Sequence, residues 1–548
     1  MKIYEALAKA FHQQNLGTCF ALLGDANMHW AGALSTLGTR FIYTRHEHAA
    51  VAAATSYARA SGEIGFATVT CGPGLTQIMT ILPIAVRANL PLIIFAGEAP
   101  LNKQWYNQKI DQEPFVTACG AKYRALHNPE TMITDIDEAV TIAKQERCPV
   151  VIGVPFDLQK REWTGDITLP KQKPEPVSTP CIAPLPEQVA LAAFLLAQSQ
   201  RPIILAGLGA TSKAARSACC HLAELSGALL ATTLPAKGLF HDQAYCLGVA
   251  GGYSSEQAKQ IFRQADLVIA IGSRLASHTF DGGKLTPNAK VIHIDIAPQE
   301  HVQGRKAADV LIKADSVSGI DALCHSLAGQ HMINWRTEEM KATAAEALAL
   351  PEQGKASDGY LHPLSIIKEL NRIIPPTCHI INTSGHCAYF SAQMNNHPQD
   401  HFTVIRDFGA IGNGTSFALG IAELYPDRPV ILIDGDGSAM MHIQELETMQ
   451  RHNLHILTIV LNDGGYGSEI HKLRADGIPL DGSVFGRPNF AGIGRGFGLT
   501  GETFTEVKGM KDSLSAFLRA GKPAIWDIHI SNLVASPQIL NAHRQTDK

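Results

Sequence analysis

Short runs of β-branched and aliphatic residues recur along the chain, and each is separated from the next by a stretch long enough for a helix. Continuous apolar runs of strand length are expected of strands buried on both faces. Their alternation with helices is the pattern of parallel sheets built from βαβ units. In the first third the predicted strands are Thr18–Leu23, Phe41–Thr44, Gly65–Thr70, Leu92–Ala96 and Val150–Val154. The opening MKIYEALAKAFHQQ has the apolar spacing of an amphipathic helix. Pro174 and Pro176, with Pro170, Pro180, Pro184 and Pro186 around them, then interrupt both patterns. Proline has a fixed φ and no amide hydrogen, so this stretch reads as a linker. A second set of strands follows at Ile203–Ala206, Leu267–Ile271 and Val291–Ile294. The polar, Ala/Glu-rich stretch from about Asn334 to Gly359 reads as a helical connector, and a third set lies at Ile380–Asn382, Val430–Ile433 and Ile456–Leu461. The reading is three parallel-sheet α/β domains, over 1–165, 186–330 and 360–535, with no internal sequence repeat.

Composition changes this picture little. The chain has 548 residues, 45% of them hydrophobic, which is enough for several separate cores. A formal charge of −4 without a basic stripe argues against nucleic acid as a partner. No apolar run reaches the roughly 18 residues of a membrane-spanning helix, so no membrane partner is expected. The N-terminus lacks the layout of a signal peptide, and the 11 cysteines show no CxxC pairing. Both point to a cytoplasmic protein with reduced thiols.

The chemistry concentrates in the last third. Gly435-Asp436-Gly437-Ser438 follows the apolar run PVILID and precedes SAMMHIQELETMQRHN, a helical stretch. The next strand, HILTIVL, ends at Asn462-Asp463. Both acids therefore stand at carboxyl ends of predicted parallel strands, where open α/β sheets bind ligands. Asp436 and Asp463 supply hard oxygens, and a bend through Gly464-Gly465 can turn the Gly465 carbonyl to the same point. Two carboxylates, one carbonyl, two phosphate oxygens and a water make an octahedral magnesium site. The helix starting at Ser438 offers free N–H groups and its positive dipole end to the same phosphate. A lone Gly-Asp-Gly is more often an ordinary turn; the spacing and the second acidic pair set this one apart. No P-loop motif competes with it.

Gly435-Asp436-Gly437 followed by Asn462-Asp463-Gly464-Gly465-Tyr466-Gly467 resembles the thiamine-diphosphate motif of the pyruvate decarboxylase and acetolactate synthase family. That family usually closes the motif on Asn-Asn; this chain has Asn462-Asp463. A second match is Thr44-Arg45-His46-Glu47-His48-Ala49-Ala50. The resemblance implies that Glu47 hydrogen-bonds the cofactor's aminopyrimidine and favours its imino tautomer, whose nitrogen removes the proton from thiazolium carbon 2. By residue type alone, Glu47 is a charge at a helix N-terminus. Cys71-Gly72-Pro73-Gly74 is a family-like turn, with Gly72 its cofactor-binding candidate, and Gln108 matches the residue that relatives place over the substrate. Thr383, Ser384, Gly385 and His386 match the first diphosphate-binding turn. In Phe408–Gly412 the resemblance gives Gly409 a carbonyl for the 4′-amino group and makes Ile411 a wedge under the bent cofactor. Gly437, Ser438 and Tyr466 complete the cofactor set; Asp436, Asp463 and Gly465 form the metal set. Arg201–Gly207 and Val291–Ile296 extend the likeness through the middle, so that it spans roughly residues 1–530. Some relatives bind FAD there. The turn GLGATS at Gly207–Ser212 lacks the third glycine of a dinucleotide fingerprint, so it lends a flavin no support.

The reaction is read less sharply. Gly24-Asp25-Ala26-Asn27 looks like the Gly-Asp-x-Asn of pyruvate-decarboxylase-type enzymes, in which the aspartate, here Asp25, assists proton transfer. Glu469 stands where those decarboxylases carry a catalytic glutamate, suited to protonating an enamine. Acetolactate synthases usually carry a Gln-Trp pair a little later; Ile470–Arg474 has no tryptophan. The paired histidines of pyruvate decarboxylase are absent around Gln108. Non-oxidative decarboxylation of a 2-oxo acid to an aldehyde leads. The alternatives are an acetolactate synthase-like carboligase or 2-hydroxyacyl lyase and, more remotely, a non-catalytic relative. The resemblance further implies thiamine diphosphate, Mg2+, a small 2-oxo acid substrate, and a dimer or tetramer with the cofactor between subunits. Trp30, Trp105, Tyr106, Tyr389 and Phe390 are aromatic candidates for a substrate pocket.

Overall fold

The computed structural model describes residues 1–167, 181–330 and 332–539. Pro170, Pro174, Pro176 and Pro180 of the expected linker lie outside these residues. Pro186 departs from that reading, because it opens the helix Pro186–Gln198. A fixed φ suits the first helical turn, where the missing amide hydrogen would have had no partner anyway.

Three parallel sheets of six strands each carry the chain. In the first, the spatial order is Phe41–Tyr43, Cys19–Ala21, Gly65–Val69, Leu92–Glu98, Pro149–Pro155 and Lys122–Ala125. In the last it is Phe402–Val404, His379–Asn382, Val430–Gly435, Ile456–Asn462, Ala524–His529 and Thr500–Phe504. Numbered within each sheet, both orders run second, first, third, fourth, sixth, fifth. The central sheet is doubly wound: Val310–Lys313, Lys290–Asp295, Leu267–Ile271, Pro202–Ala206, Leu229–Thr232 and Cys246–Val249. Every strand expected from an apolar run is present, with ends shifted by a residue or two. The outermost strands Lys122–Ala125 and Thr500–Phe504 escaped the pattern because much of each is solvated, so their sequences, KYRA and TGETF, are polar. The N-terminal helix Ile3–Gln13 and the connector helix Glu338–Leu348 are as expected. Among the described residues no helix is long and apolar enough to cross a membrane.

One helix pair joins the first sheet to the last. Glu47–Ser61 begins where the His46 side chain accepts the His48 N–H, and it ends at Gly62 with φ 76°. Its buried run Ala49–Ala54 lets the backbone come close to Gly414–Leu424. A Cβ added at Gly420 would lie 2.1 Å from the Ala53 carbonyl oxygen. Ser56 Oγ donates to the Phe417 carbonyl at 2.8 Å, and His48 Nε2 lies 2.6 Å from Asn413 Oδ1. Val51, Ala54, Phe417 and Ile421 belong to one continuous apolar cluster. The stretch SAMMHIQELETMQRHN is not one helix. It breaks at His442 (φ −132°, ψ 38°) between Asp436–Met441 and Glu445–Arg451, and there the His442 ring stacks on His48 at 4.8 Å.

Candidate active site

The strand Val430–Gly435 pairs in parallel with Ile456–Asn462, Gly435 facing Leu461, so the turns that leave the two strands lie side by side. Asp436, only 1% exposed, is held there by backbone amides. Its Oδ1 accepts the Gly437 N–H at 2.9 Å, and its Oδ2 accepts the Gly464 and Gly465 N–H groups at 2.8 and 3.1 Å. Asp463 Oδ1 accepts the Gly465 N–H at 3.2 Å. Burial pushes both carboxyls well above the ordinary carboxylate range, and the charge of Asp463 adds to the effect on Asp436. No lysine or arginine pairs with either acid among the described residues. The nearest basic group, His386 Nδ1 at 3.8 Å from Asp463 Oδ2, is itself held neutral by burial, its pKa down at about 4. Arg487 acts on Asp463 only through its longer-range charge, and two buried carboxylates with no ion pair to a lysine or arginine fit a divalent cation. Among the described residues no group of three or more His, Cys, Asp or Glu side chains forms a metal cluster. An ion here would therefore need backbone carbonyls and ligand oxygens as well.

A third acid, hidden in the apolar run PVILID, organises the turns. Asp434 is fully buried, and its carboxylate accepts Thr383 Oγ1 at 2.9 Å, Ser438 Oγ at 3.0 Å and the Gly435 N–H at 2.9 Å. Ser438 Oγ in turn accepts the Gly412 N–H at 2.8 Å. One carboxylate thus ties the turns at 383, 412 and 438 together. An acid inside an otherwise aliphatic strand was the signal for it.

The cleft at these turns is lined by Ser384, Gly385, His386, Ile411, Gly437, Ser438, Tyr466 and Glu469, with Asp436, Asp463 and Gly465. Thr383 is buried behind it, and Gly409 (φ 74°) lies on the exposed loop outside it. Gly437 leaves room for the Tyr466 ring, since an added Cβ would sit 2.5 Å from it and force the ring to shift. Ile411 is half-buried at the cleft wall and is not a core residue. Glu469 stands at the rim, 55% exposed, with Lys472 Nζ at 3.4 Å.

Among the described residues, none of the first third lines this cleft. The predicted residues there form a second group. Glu47 is half-buried, and its Oε1 lies 3.4 Å from where a Cβ on Gly74 would be, so it faces the Cys71–Gly74 turn. Gly72 has φ 59°, and its N–H donates to Gln112 Oε1 at 2.9 Å. Gln108 Oε1 accepts Tyr106 Oη at 3.3 Å and Cys71 Sγ at 3.4 Å, which sets it over the same turn. Asp25 is exposed. Its neighbour Asn27 is structural, accepting the Gly24 N–H at 2.8 Å and donating to the Leu22 carbonyl and Thr68 Oγ1, both at 3.0 Å. The aromatic candidates separate. Trp30 is core, stacked on Phe95 at 4.0 Å, and Trp105 is 79% exposed. Tyr389 stacks on Tyr253, and of the five only Phe390 lines the cleft.

Glu445, which sequence reasoning missed, braces the second group from the last third. Fully buried, it accepts the Arg45 N–H at 3.0 and 3.2 Å and Thr448 Oγ1 at 2.7 Å, two residues before Glu47. Burial pushes its pKa up to about 7. In the middle sheet, Gly207 and Gly209 serve a close crossing: the Gly209 N–H donates to the Gly272 carbonyl at 3.0 Å, and a Cβ on Gly207 would lie 2.2 Å from that oxygen.

Three family models match in succession. The thiamine pyrophosphate enzyme N-terminal TPP binding domain covers residues 1–115, the central domain 189–323, and the C-terminal TPP binding domain 383–528. The chain belongs to the thiamine-diphosphate-dependent enzyme family. Among its relatives, the probable acetolactate synthase large subunit of Methanocaldococcus jannaschii is 28% identical over 100% of this chain and 95% of that protein. The acetolactate synthase isozyme 2 large subunit of Escherichia coli (strain K12) is 28% identical over 96% and 94%. The acetolactate synthase large subunit of Parasynechococcus marenigrum (strain WH8102) is 27% identical over 96% and 87%.

Proposed function

We propose that this enzyme joins two 2-oxo acid units by carboligation, the carboxyl of the first leaving as CO2 as its former carbonyl carbon bonds to the carbonyl carbon of the second, as its relatives' name of acetolactate synthase suggests, using thiamine diphosphate and Mg2+. The observation that carries this reading is the near end-to-end alignment with proteins of that name. It displaces the decarboxylase expectation from first place. When bound, thiamine diphosphate supplies a nucleophilic carbon that attacks a 2-oxo carbonyl. In this reading Asp436, Asp463 and the Gly465 carbonyl hold the cation. Thr383, Ser384, Gly385, His386, Gly437, Ser438 and Tyr466 form the diphosphate cradle, and Gly409 and Ile411 support the pyrimidine end. Glu47 holds and releases one proton at its carboxyl, while Gly72 and Gln108 border the reacting region. A cleft lined without any first-third residue supports a dimer or larger assembly in which a second copy contributes Glu47.

Decarboxylation is kept as the second reading, because Glu469 stands at the cleft rim and Asp25 is open to solvent. A screen of 2-oxo acids with magnesium and thiamine diphosphate separates the two. Acetolactate-type products with pyruvate support carboligation; an aldehyde with stoichiometric CO2 and no condensed product refutes it. The visible absorbance spectrum of the purified enzyme reports on a flavin in the central domain.

A further inference from the structure

A cavity of about 170 Å3 lies away from the Asp436 cleft, between the central sheet and the last domain. Thr232, Lys237 and His241 line it from the central side; Asn395 and Asn396 line it from the other. Lys237 is 6% exposed, yet its ammonium has no hydrogen bond or ion pair among the described residues. Its one aromatic contact is the Phe402 ring, 5.2 Å away. Thr232 Oγ1 is buried without a partner. Among the described residues no aspartate or glutamate lines the cavity, and the nearby Asp242 is taken by Arg216. His397, packed under Gly238, is kept neutral by burial, so it adds no second positive charge beside Lys237.

Buried cations without a partner are costly, and a buried hydroxyl without one adds to that cost. Burial draws the Lys237 pKa down to about 8, which marks the missing counter-ion. A cavity of roughly 150 Å3 admits a benzene-sized guest, so a small carboxylate or a phosphate fits here.

We propose that this cavity binds a small oxyanion, a carboxylate or inorganic phosphate, held by the Lys237 ammonium. Because both domains line it, the bound anion fastens the central domain to the last. The inference rests on these residues alone and is independent of the reaction proposed above.

Calorimetric titration of the cofactor-loaded enzyme with inorganic phosphate and, separately, with acetate tests it. One of the two should bind saturably at one site per chain, and the arm that saturates identifies the anion class. Lys237→Met should weaken that binding by about 10- to 100-fold, the range of a charge-assisted hydrogen bond. No saturable binding of either anion, or equal affinity in Lys237→Met, overturns the proposal. Should Lys237→Met fail to fold, wild-type crystals soaked in bromide decide: an anomalous peak beside Lys237 Nζ is expected, and its absence from the cavity overturns the proposal.

Discussion

Gly420→Ala tests the joint between the first sheet and the last, on which the placing of Glu47 depends. In an open helix this change is favourable, because alanine exceeds glycine in helix propensity by about 1 kcal/mol. Here the added methyl would lie 2.1 Å from the Ala53 carbonyl oxygen and 2.3 Å from Ser56 Oγ. Ordinary carbon–oxygen contacts begin at about 3.3 Å, so Glu47–Ser61 and Gly414–Leu424 must part by about 1 Å. Overpacking of this kind costs about 1–3 kcal/mol. Stretching the Ser56 to Phe417 bond costs about 0.5–1.5 kcal/mol more. The clash outweighs the propensity, and the net loss expected is about 0.5–3.5 kcal/mol. Gly32, in the helix Met28–Thr36, has nothing within 4 Å of an added Cβ and is the control. Gly32→Ala should stabilise by up to about 1 kcal/mol. Urea unfolding of both variants, with turnover measured beside it, separates the terms. Gly420→Ala should also lose turnover, since Glu47 begins the displaced helix. If Gly420→Ala proves as stable as Gly32→Ala, the close helix contact is not what joins the sheets.

Asp436→Ala should weaken magnesium-dependent cofactor binding by more than the roughly 10–100-fold typical of outer-shell metal partners. Asp463→Asn should keep binding, because the amide oxygen still serves as a ligand. Calorimetry with both cofactors checks each, and wild-type affinity in Asp436→Ala would remove the metal assignment. Glu47→Gln keeps the side-chain shape but cannot release a proton, so turnover should fall by about 10²–10⁴-fold, or roughly 3–5 kcal/mol of barrier. Its cofactor affinity and melting temperature should stay put; a lowered melting temperature with full turnover would make Glu47 structural. Glu445→Gln tests a pH effect. The folded pKa of Glu445 is raised from 4.5 to about 7, so its favourable contribution is complete below 4.5 and fades as pH rises through 7. The variant lacks that fade, and melting curves from pH 5 to pH 8 should favour it increasingly, by up to about 3 kcal/mol. A constant difference across that range would contradict the raised value.

Strands buried on both faces were legible because their apolar runs are uninterrupted, as in Leu92–Glu98 and Ile456–Asn462. Lys122–Ala125 was not, because a half-solvated edge tolerates polar residues. That Asp436 and Asp463 meet in one cleft was legible because both follow apolar strand runs that pair side by side. The supports of that cleft were not. Asp434 looks like a stray acid in a strand, and Glu445 like a surface residue of a helix, until the fold brings Thr383 and Arg45 to them. The histidine contact that accompanies the break at His442 joins segments about 400 positions apart, which no local pattern records. Trp30 misled for the opposite reason: a large aromatic suits a core as well as a pocket, and here Phe95 claims it.

The shared strand order of the first and last sheets, without a repeat visible in the sequence, explains how the site divides. In each sheet the second strand feeds a helix, Glu47–Ser61 in one and Gly414–Leu424 in the other, and these two equivalent helices pack on each other. That contact needs small residues on one helix and Gly420 on the other, so packing constrains it. The third and fourth strands of each sheet also end at equivalent points, but there packing asks for little more than a turn. The last sheet places Asp436 and Asp463 after those strands; the first places the Cys71–Gly74 turn and, at the end of its fourth strand, Glu98, which accepts from Tyr123. The two sheets thus differ in residue type at strand ends, where the fold leaves it free, and agree in strand order and in the helix joint, where packing does not. In the reading proposed above, the last sheet would hold the cation and the first the proton-transferring carboxyl, and the two would become one site when an assembly brings the Glu47 end of a first sheet to the Asp436 cleft of a last sheet.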